Sequence, residues 1–92
     1  MLRFDWDPDK AASNEQKHGV SFPEAATAFG DPLSITIADP DRSVGEARFI
    51  LVGLTYQGRL VVVAHAETGD SIRIISARPA TRAERRSYEQ ES

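Results

Sequence analysis

The last third of the chain alternates between apolar and polar residues and then changes to a helical spacing. Pro79 ends the alternating stretch, because proline has no N–H to donate within a central strand. Thr81 and Glu84 then have the spacing of a capping box, which predicts the start of a C-terminal helix. The alternation over residues 72–77 predicts a strand with one face formed by Ile72, Ile74 and Ser76 and an opposite face formed by Arg73, Ile75 and Ala77.

The N-terminal part of the chain predicts a strand and two helices. Residues 2–6 alternate as in a short strand with one buried face. Residues 8–18 predict a surface helix, because Asp7 is a typical N-cap, Gly19 is a typical C-terminal stop, and few residues between them are apolar. A second helix is predicted to begin with a capping box of Ser21 and Glu24, to bury Phe22, Ala25, Ala26 and Phe29, and to end at residues 30–32.

The middle of the chain predicts three strands. Residues 33–38 alternate as a strand and are followed by a polar loop over residues 39–45, which we expect to be mobile. Residues 49–55 and 60–66 are apolar runs around a glycine-containing turn, which predicts a hairpin. The second run hardly alternates, so we expect a central strand that is covered on both faces.

This order of elements predicts an α+β fold, with a small antiparallel sheet of four to five strands packed with two N-terminal helices and one C-terminal helix. We expect residues 1–92 to form one domain, stabilised without disulfides because the chain has no cysteine. The longest apolar run is too short to cross a bilayer and the N-terminus lacks the apolar run of a signal peptide. We therefore expect a soluble, cytoplasmic protein with no membrane partner.

Charge and motifs exclude several classes of function. A net charge of −3 argues against general affinity for nucleic acid, although five of the eleven basic residues fall within residues 72–88. His18 and His65 are far apart, and His65 is interpreted as a core residue of an apolar strand, so we expect no metal site and no cofactor. A magnesium site at Asp39 and Asp41 is the alternative, but a solvated turn is favoured there. The glycines match no phosphate-binding loop, and no serine nucleophile motif is present.

The remaining candidates for chemistry are mostly cationic. RNA carries its own nucleophile, the 2′-hydroxyl, so a metal-free ribonuclease needs groups that accept its proton, stabilise charge on phosphorus and protonate the leaving oxygen. Arg82 and Arg86 share one face of the predicted helix close to Arg78, so we expect several guanidiniums to converge on one anionic group. The candidate set is Lys17, His18, Arg48, Arg73, Arg78, Arg82 and Tyr88.

Each candidate also has a structural interpretation. Lys17 and His18 end a predicted helix, where cations favour the helix dipole. Arg48 is close enough in sequence to Glu46 for an ion pair. Tyr88 has the spacing of a helix-packing residue. The arginines at the strand-to-helix junction repel one another unless an anion or a carboxylate lies among them.

Four segments together resemble the BrnT family of bacterial toxins, in matching order and over almost the whole chain. They are F-D-W-D-P-D-K at 4–10, N-E-Q-K-H-G-V-S-F at 14–22, G-E-A-R at 45–48 and I-R-I-I-S-A-R-P-A-T-R-A-E-R-R-S-Y at 72–88. Pro79 is a departure from the pattern, and it does not alter the scheme.

The resemblance implies a RelE/ParE-like fold and a toxin of a type II toxin–antitoxin system. Such a toxin is a metal-independent endoribonuclease that cleaves RNA and inhibits translation. The implied partner is a BrnA-like antitoxin with a ribbon-helix-helix domain, which forms a heterotetramer through its own dimerisation. That complex represses its own operon and contacts operator DNA only through the antitoxin.

The resemblance also implies functional positions in this sequence. We assign Arg48, Arg73 and Arg78 to phosphate binding and transition-state stabilisation, and His18 or Lys17 to proton transfer. The implied catalytic residues are Lys17, His18, Arg48, Arg73 and Arg78, and the implied substrate-binding residues are Arg82 and Tyr88.

Two other functions fit the same cationic junction. It would also serve a non-catalytic protein-binding and co-repressor module, whose arginines dock an acidic partner segment. A gyrase poison resembling ParE is the third possibility, and trapped cleaved DNA alongside intact RNA would identify it.

Overall fold

The computed structural model describes residues 2–39 and 47–91. Within these ranges, no helix is both long enough and apolar enough to cross a membrane. Apart from Asp39, the predicted polar loop lies outside the described residues. In chain order the elements are β1 (Arg3–Asp5), α1 (Pro8–His18), α2 (Phe22–Thr27), a 3-10 turn (Ala28–Gly30), β2 (Ile35–Ala38), β3 (Arg48–Leu54), β4 (Leu60–Thr68), β5 (Ser71–Pro79) and α3 (Arg82–Glu91).

The five strands form one sheet in the order β1-β5-β4-β3-β2. The α+β prediction is confirmed, and β4 is the central strand as its continuous apolar run predicted. The pairs β2/β3, β3/β4 and β4/β5 are antiparallel, and short turns connect the last two of these pairs. Strand β1 instead pairs in parallel with β5, so the sheet is mixed, and the predicted antiparallel arrangement holds only from β2 to β5. The parallel pair is possible because all the other strands and two helices separate β1 from β5 along the chain.

The helix ends follow the predicted capping residues, with one exception. Asp7 caps α1, and Gly19 ends it in the left-handed conformation at φ +73°. Thr81 and Glu84 form a complete capping box, with each side chain accepting from the other's N–H at 3.1 and 2.8 Å. At α2 only half of the box forms, because the Ser21 hydroxyl accepts from Glu24 N–H while the Glu24 carboxylate binds other partners.

The two faces of the sheet have different coverings. Helix α2 packs on one face, which we call the helical face, and α3 lies over one end of the opposite face, which we call the open face. Helix α1 lies along the free edge of β5, so it contacts the core on one side and borders the open face on the other. At Gly53 a side chain would come within 3.0 Å of the Ala28 carbonyl, so glycine permits the close approach of β3 to the 3-10 turn. The core lies on the helical face and contains Val20, Phe22, Ala25, Ala28, Leu51, Val61, Val63, Ile74 and Ala77.

Strand β5 contains a β-bulge at Ile75. Ala64 of β4 pairs with Ser76, whereas the next residue, His65, pairs with Ile74. Ile75 therefore has no cross-strand partner on β4, and two residues of β5 span one step of β4.

The bulge changes which residues of β5 share a face. Ile74 and Ala77 are both buried, whereas Ser76 is exposed. The predicted grouping of Ser76 with Ile74, and of Ala77 with Arg73, is therefore wrong, because simple alternation counts every residue as one step. As a result Arg73 and Arg78 lie on the same face, since their partners Ala66 and Val62 are four positions apart on the regular strand β4.

Candidate functional site

Four residues on four neighbouring strands form a row across the open face. Arg48 of β3 pairs with Ala66 of β4, Ala66 pairs with Arg73 of β5, and Arg73 pairs with Asp5 of β1. Residues paired across strands project to the same face, so two arginines lie on either side of a small alanine. The sequence separates Arg48 from Arg73, and only the strand order brings them together.

The arginines of this row line a cleft of about 290 Å³ together with the start of α1. Lys10 of α1 reaches the same cleft, so three cations from three different elements surround one space. The cleft is large enough to admit a phosphate group, and its three cations outnumber the single carboxylate of Asp7, so its charge favours an anion. The lining residues are Asp7, Lys10, Arg48, Arg73, Ile74 and Ile75.

A groove of about 220 Å³ continues from the cleft along α1. The groove and the cleft share Lys10 and Ile75, so they form one connected surface, which we call the cationic site. Lys17 and His18, which were predicted from the sequence as functional residues, line this groove. The groove is lined by Lys10, Ser13, Asn14, Lys17, His18, Ile75 and Ser76.

Asn14 fixes α1 against the part of β5 that β1 does not cover. Its Nδ2 donates to the carbonyl oxygens of Ala77 at 2.8 Å and Val20 at 3.0 Å, and its Oδ1 accepts from Ala77 N–H at 3.1 Å. The amide thus satisfies both backbone groups of Ala77, as a neighbouring strand would. Because Asn14 is buried, these bonds set the distance between α1 and β5 and hence the width of the groove.

Arg78 is on the open face but is bound to a carboxylate. Its two terminal nitrogens each donate to an oxygen of Glu84 at 2.8 Å. These bonds from Arg78 hold the pKa of Glu84 at about 2, against an ordinary value of 4.5. Repulsion among these arginines can be relieved by a bound anion or by a carboxylate of the protein. At Arg78 it is relieved by the carboxylate of Glu84. Arg82 is exposed on α3 and lines neither part of the cationic site.

Tyr88 lines neither part of the cationic site. Its side chain is only 6% exposed, and its hydroxyl donates to Asp31 Oδ2 at 2.7 Å. This bond to Asp31 raises the pKa of Tyr88 to about 12. Partial burial raises the pKa of Asp31, but hydrogen bonds from Leu54 N–H, Tyr88 and Leu33 N–H outweigh it and keep that pKa low. Tyr88 therefore anchors α3 to the loop before β2.

His65 is a core residue, as its apolar strand predicted. Its side chain is fully buried, and its ring lies 4.7 Å from that of Phe29 and 5.9 Å from that of Phe49, between centroids. Its two ring nitrogens lie within hydrogen-bond distance of Val63 O and Glu67 Oε2. It faces the core and does not line the cationic site.

Sequence reasoning missed Lys10 and Ser76 as residues of the site. Lys10 and Lys17 are seven residues apart with Asn14 between them, so all three share one helix face, and this spacing was a signal that could have found Lys10. No signal in the sequence could have found Ser76, because its orientation depends on the bulge.

The two sequence-based alternatives near the polar loop remain predictions. Glu46, the suggested partner of Arg48, and Asp41, part of the alternative magnesium site, lie outside the described residues. In the part of the chain that the structure describes, no three His, Asp or Glu side chains are grouped as metal ligands.

Comparisons with known proteins agree with this architecture. The crystal structure of the Brucella abortus ribonuclease toxin BrnT is similar to this chain, with a TM-score of 0.65 and 20% sequence identity over 89% of this chain and 100% of that one. At this identity the similarity shows a shared fold. No curated protein matches the chain. The family model of the ribonuclease toxin BrnT of type II toxin–antitoxin systems matches residues 6–84. Because this match spans most of the sequence, the chain belongs to the BrnT family of type II toxin–antitoxin systems.

Proposed function

We propose that this protein is an endoribonuclease toxin that cleaves RNA in the cytoplasm without a metal and thereby inhibits translation. The observation that carries the proposal is the cleft of about 290 Å³ that Lys10, Arg48 and Arg73 line, which is large enough to admit a phosphate group of RNA. Membership of the BrnT family supports RNA as the substrate.

The reaction uses the nucleophile that RNA itself supplies. The 2′-oxygen attacks the adjacent phosphorus, the bond from phosphorus to the 5′-oxygen breaks, and a cyclic phosphate and a 5′-hydroxyl form. One group must accept the 2′-hydroxyl proton, and another must protonate the leaving 5′-oxygen. Arg48 and Arg73 bind the phosphate and stabilise the negative charge that grows on it.

Proton transfer is assigned to the end of α1. Lys17 and His18 line the groove that opens into the cleft containing Lys10, Arg48 and Arg73, which we call the phosphate cleft. Either side chain can carry a proton. The bond between Asn14 and β5 holds this end of the helix beside Ser76.

The remaining candidates act at the α3 end of the open face. We propose that Arg78 and Arg82 contact the RNA backbone there, where a phosphate has to compete with Glu84 for Arg78. Tyr88 contributes indirectly, because it holds α3 in place through Asp31.

Cleavage of RNA in the presence of a chelator tests this function. We expect the purified protein to cut RNA in EDTA, and Arg73→Ala to reduce the rate by about a hundred-fold or more, the scale of a lost oxyanion donor. The matched control is Arg85→Ala, since Arg85 is exposed on α3 with only a 4.0 Å ion pair to Glu89. Loss of cutting in EDTA and its return with Mg²⁺ would contradict the metal-free mechanism, and an unchanged Arg73→Ala rate would contradict the site.

The family also implies a protein partner. We propose that a BrnA-like ribbon-helix-helix antitoxin neutralises this chain, forms a heterotetramer through its own dimerisation and represses the shared operon. Coexpression with the adjacent reading frame, followed by measurement of the mass of the purified complex, tests the partner and its stoichiometry. A complex of one toxin with one antitoxin would contradict the heterotetramer.

A second candidate function, as a protein-binding co-repressor without catalysis, is favoured by an apolar groove of about 410 Å³ between β2, β3 and α3. Ile37 in this groove is 56% exposed. Ile50, also in the groove, is two residues from Arg48 on one face of β3, so an antitoxin segment bound in the groove would lie next to the cationic site. Antitoxin binding by a protein that cuts no RNA would select this function.

A further inference from the structure

A second pocket adjoins the phosphate cleft on the open face. It has a volume of about 220 Å³ and lies near the tip of the β4–β5 hairpin. Arg73 lines both the pocket and the cleft, so it forms the wall between them. The pocket is lined by Asp5, Ala66, Thr68, Ser71 and Arg73.

The strand register explains why these polar side chains meet. Thr68 pairs with Ser71 at the end of the hairpin, and both Ala66 and Asp5 pair with Arg73. All five residues therefore project to the open face. Ala66 has the smallest side chain of the five, so it leaves space beside Thr68 and Arg73.

The position of the pocket suits one part of a nucleotide. A single ribose separates the phosphate of a nucleotide from its base. When a phosphate is bound beside Arg73 in the cleft, the adjoining base can reach the pocket on the other side of that residue. In single-stranded RNA the edges of bases are accessible to such side chains.

The chemistry of the pocket distinguishes among the four bases. An ionised carboxylate only accepts hydrogen bonds, and its two oxygens match two adjacent donors. Guanine offers two adjacent donors, N1–H and the N2 amino group. Adenine and cytosine each place a ring acceptor beside the amino group, and uracil places carbonyl oxygens on both sides of its N–H. The hydroxyls of Thr68 and Ser71 can donate to guanine O6.

We propose that the Asp5 pocket binds guanine, so that the protein selects RNA with a guanine next to the phosphate held in the cleft. This inference rests on the proposed ribonuclease function and adds the base specificity of the same site. Asp5 is the specificity-determining residue, because it alone among the pocket residues supplies a carboxylate.

The test uses 2′-O-methyl hexanucleotides, which lack the nucleophile and so report binding without cleavage. One probe carries a single guanine among uridines, and the other carries inosine, which lacks the N2 amino group, at that position. We expect the wild-type protein to bind the guanine probe roughly five-fold or more tightly, the scale of one specific base contact. We expect Asp5→Ala, which removes both acceptor oxygens, to bind both probes equally. Glu15→Gln, which removes one exposed carboxylate from α1, is the control for net charge and should keep the preference.

Cutting of unmodified RNA by the same proteins separates the two proposals. Wild-type cutting with no preference for guanine, equal binding of both probes by the wild type, or a preference that survives in Asp5→Ala would overturn the guanine pocket while leaving the ribonuclease function intact. A wild-type protein that neither binds the probes nor cuts RNA would overturn both.

Discussion

Arg73 and Arg78 lie on the same face of β5 although an alternating strand would direct them to opposite faces. The bulge at Ile75 inserts one extra residue between them, while their partners Ala66 and Val62 on β4 keep the regular spacing. The open face therefore carries an arginine near each end, with Ser76 between them. One of these arginines lines the phosphate cleft, and the other is bound to Glu84.

We expect Lys10→Ala to lower the rate of RNA cleavage by about ten-fold, because the variant removes one charged partner of the bound phosphate. Cleavage assays at low and at saturating RNA concentration would show whether binding or the chemical step is affected. The control is again Arg85→Ala on α3. Equal rates for the Lys10 variant and this control would remove Lys10 from the site.

We expect Glu84→Gln to lower the free energy of unfolding by about 1–2 kcal/mol at pH 7. The low pKa of Glu84 corresponds to a larger value, but the Arg78 side chain is 41% exposed and water screens the pair. Since the folded-state pKa of about 2 is below the ordinary 4.5, the pair stabilises the fold above about pH 4.5, and this contribution is lost as the pH falls toward 2.

Urea unfolding across this pH range measures the effect of Glu84→Gln. The difference between wild type and variant should shrink from pH 5 to pH 2, and Glu89→Gln should show almost no difference at any pH because that carboxylate is 63% exposed. If the difference in free energy of unfolding between wild type and Glu84→Gln stays constant with pH, the ion pair of Glu84 with Arg78 contributes nothing to stability.

We expect Tyr88→Phe to reduce the free energy of unfolding by about 1–2 kcal/mol, because it removes the hydroxyl that donates to the Asp31 carboxylate. RNA cleavage should change by less than about two-fold, since Tyr88 lies outside the cationic site. Tyr56→Phe is the control, because Tyr56 is 73% exposed. A strong loss of cleavage with unchanged stability would instead place Tyr88 against the substrate.

We expect Asn14→Ala to cost about 3 kcal/mol of stability, because it leaves the carbonyl and N–H of Ala77 and the carbonyl of Val20 without their buried partner. Ser13→Ala, one residue away and exposed, should cost less than about 0.5 kcal/mol. Urea unfolding compares the two variants. Equal free energies of unfolding for Asn14→Ala and Ser13→Ala would show that water replaces the Asn14 amide at this edge of β5.

Local signals in the sequence predicted most of the elements. The capping residues Asp7 and Gly19 gave the bounds of α1, and the continuous apolar run gave the central strand β4. At α2 the capping box failed in part, because Arg59 and Thr55 bind the Glu24 carboxylate and lower its pKa. These partners are distant in sequence, so no local pattern reports them.

The candidate site, like the fold, was predicted only in part from the sequence. Side-chain chemistry indicated Lys17, His18, Arg48 and Arg73, all of which line the cationic site, because cationic groups for phosphate chemistry are recognisable by type. It gave no indication that Arg78 is bound by Glu84.

The sequence by itself determined the helices, the strands and the set of cations, because capping, alternation and charge depend on residues close together in the chain. Tertiary structure alone decided which of those cations share a space. The parallel pairing of β1, the strand order and the bulge at Ile75 are set by packing between distant segments, and together they place Asp5, Arg73 and Arg48 in one row on the open face.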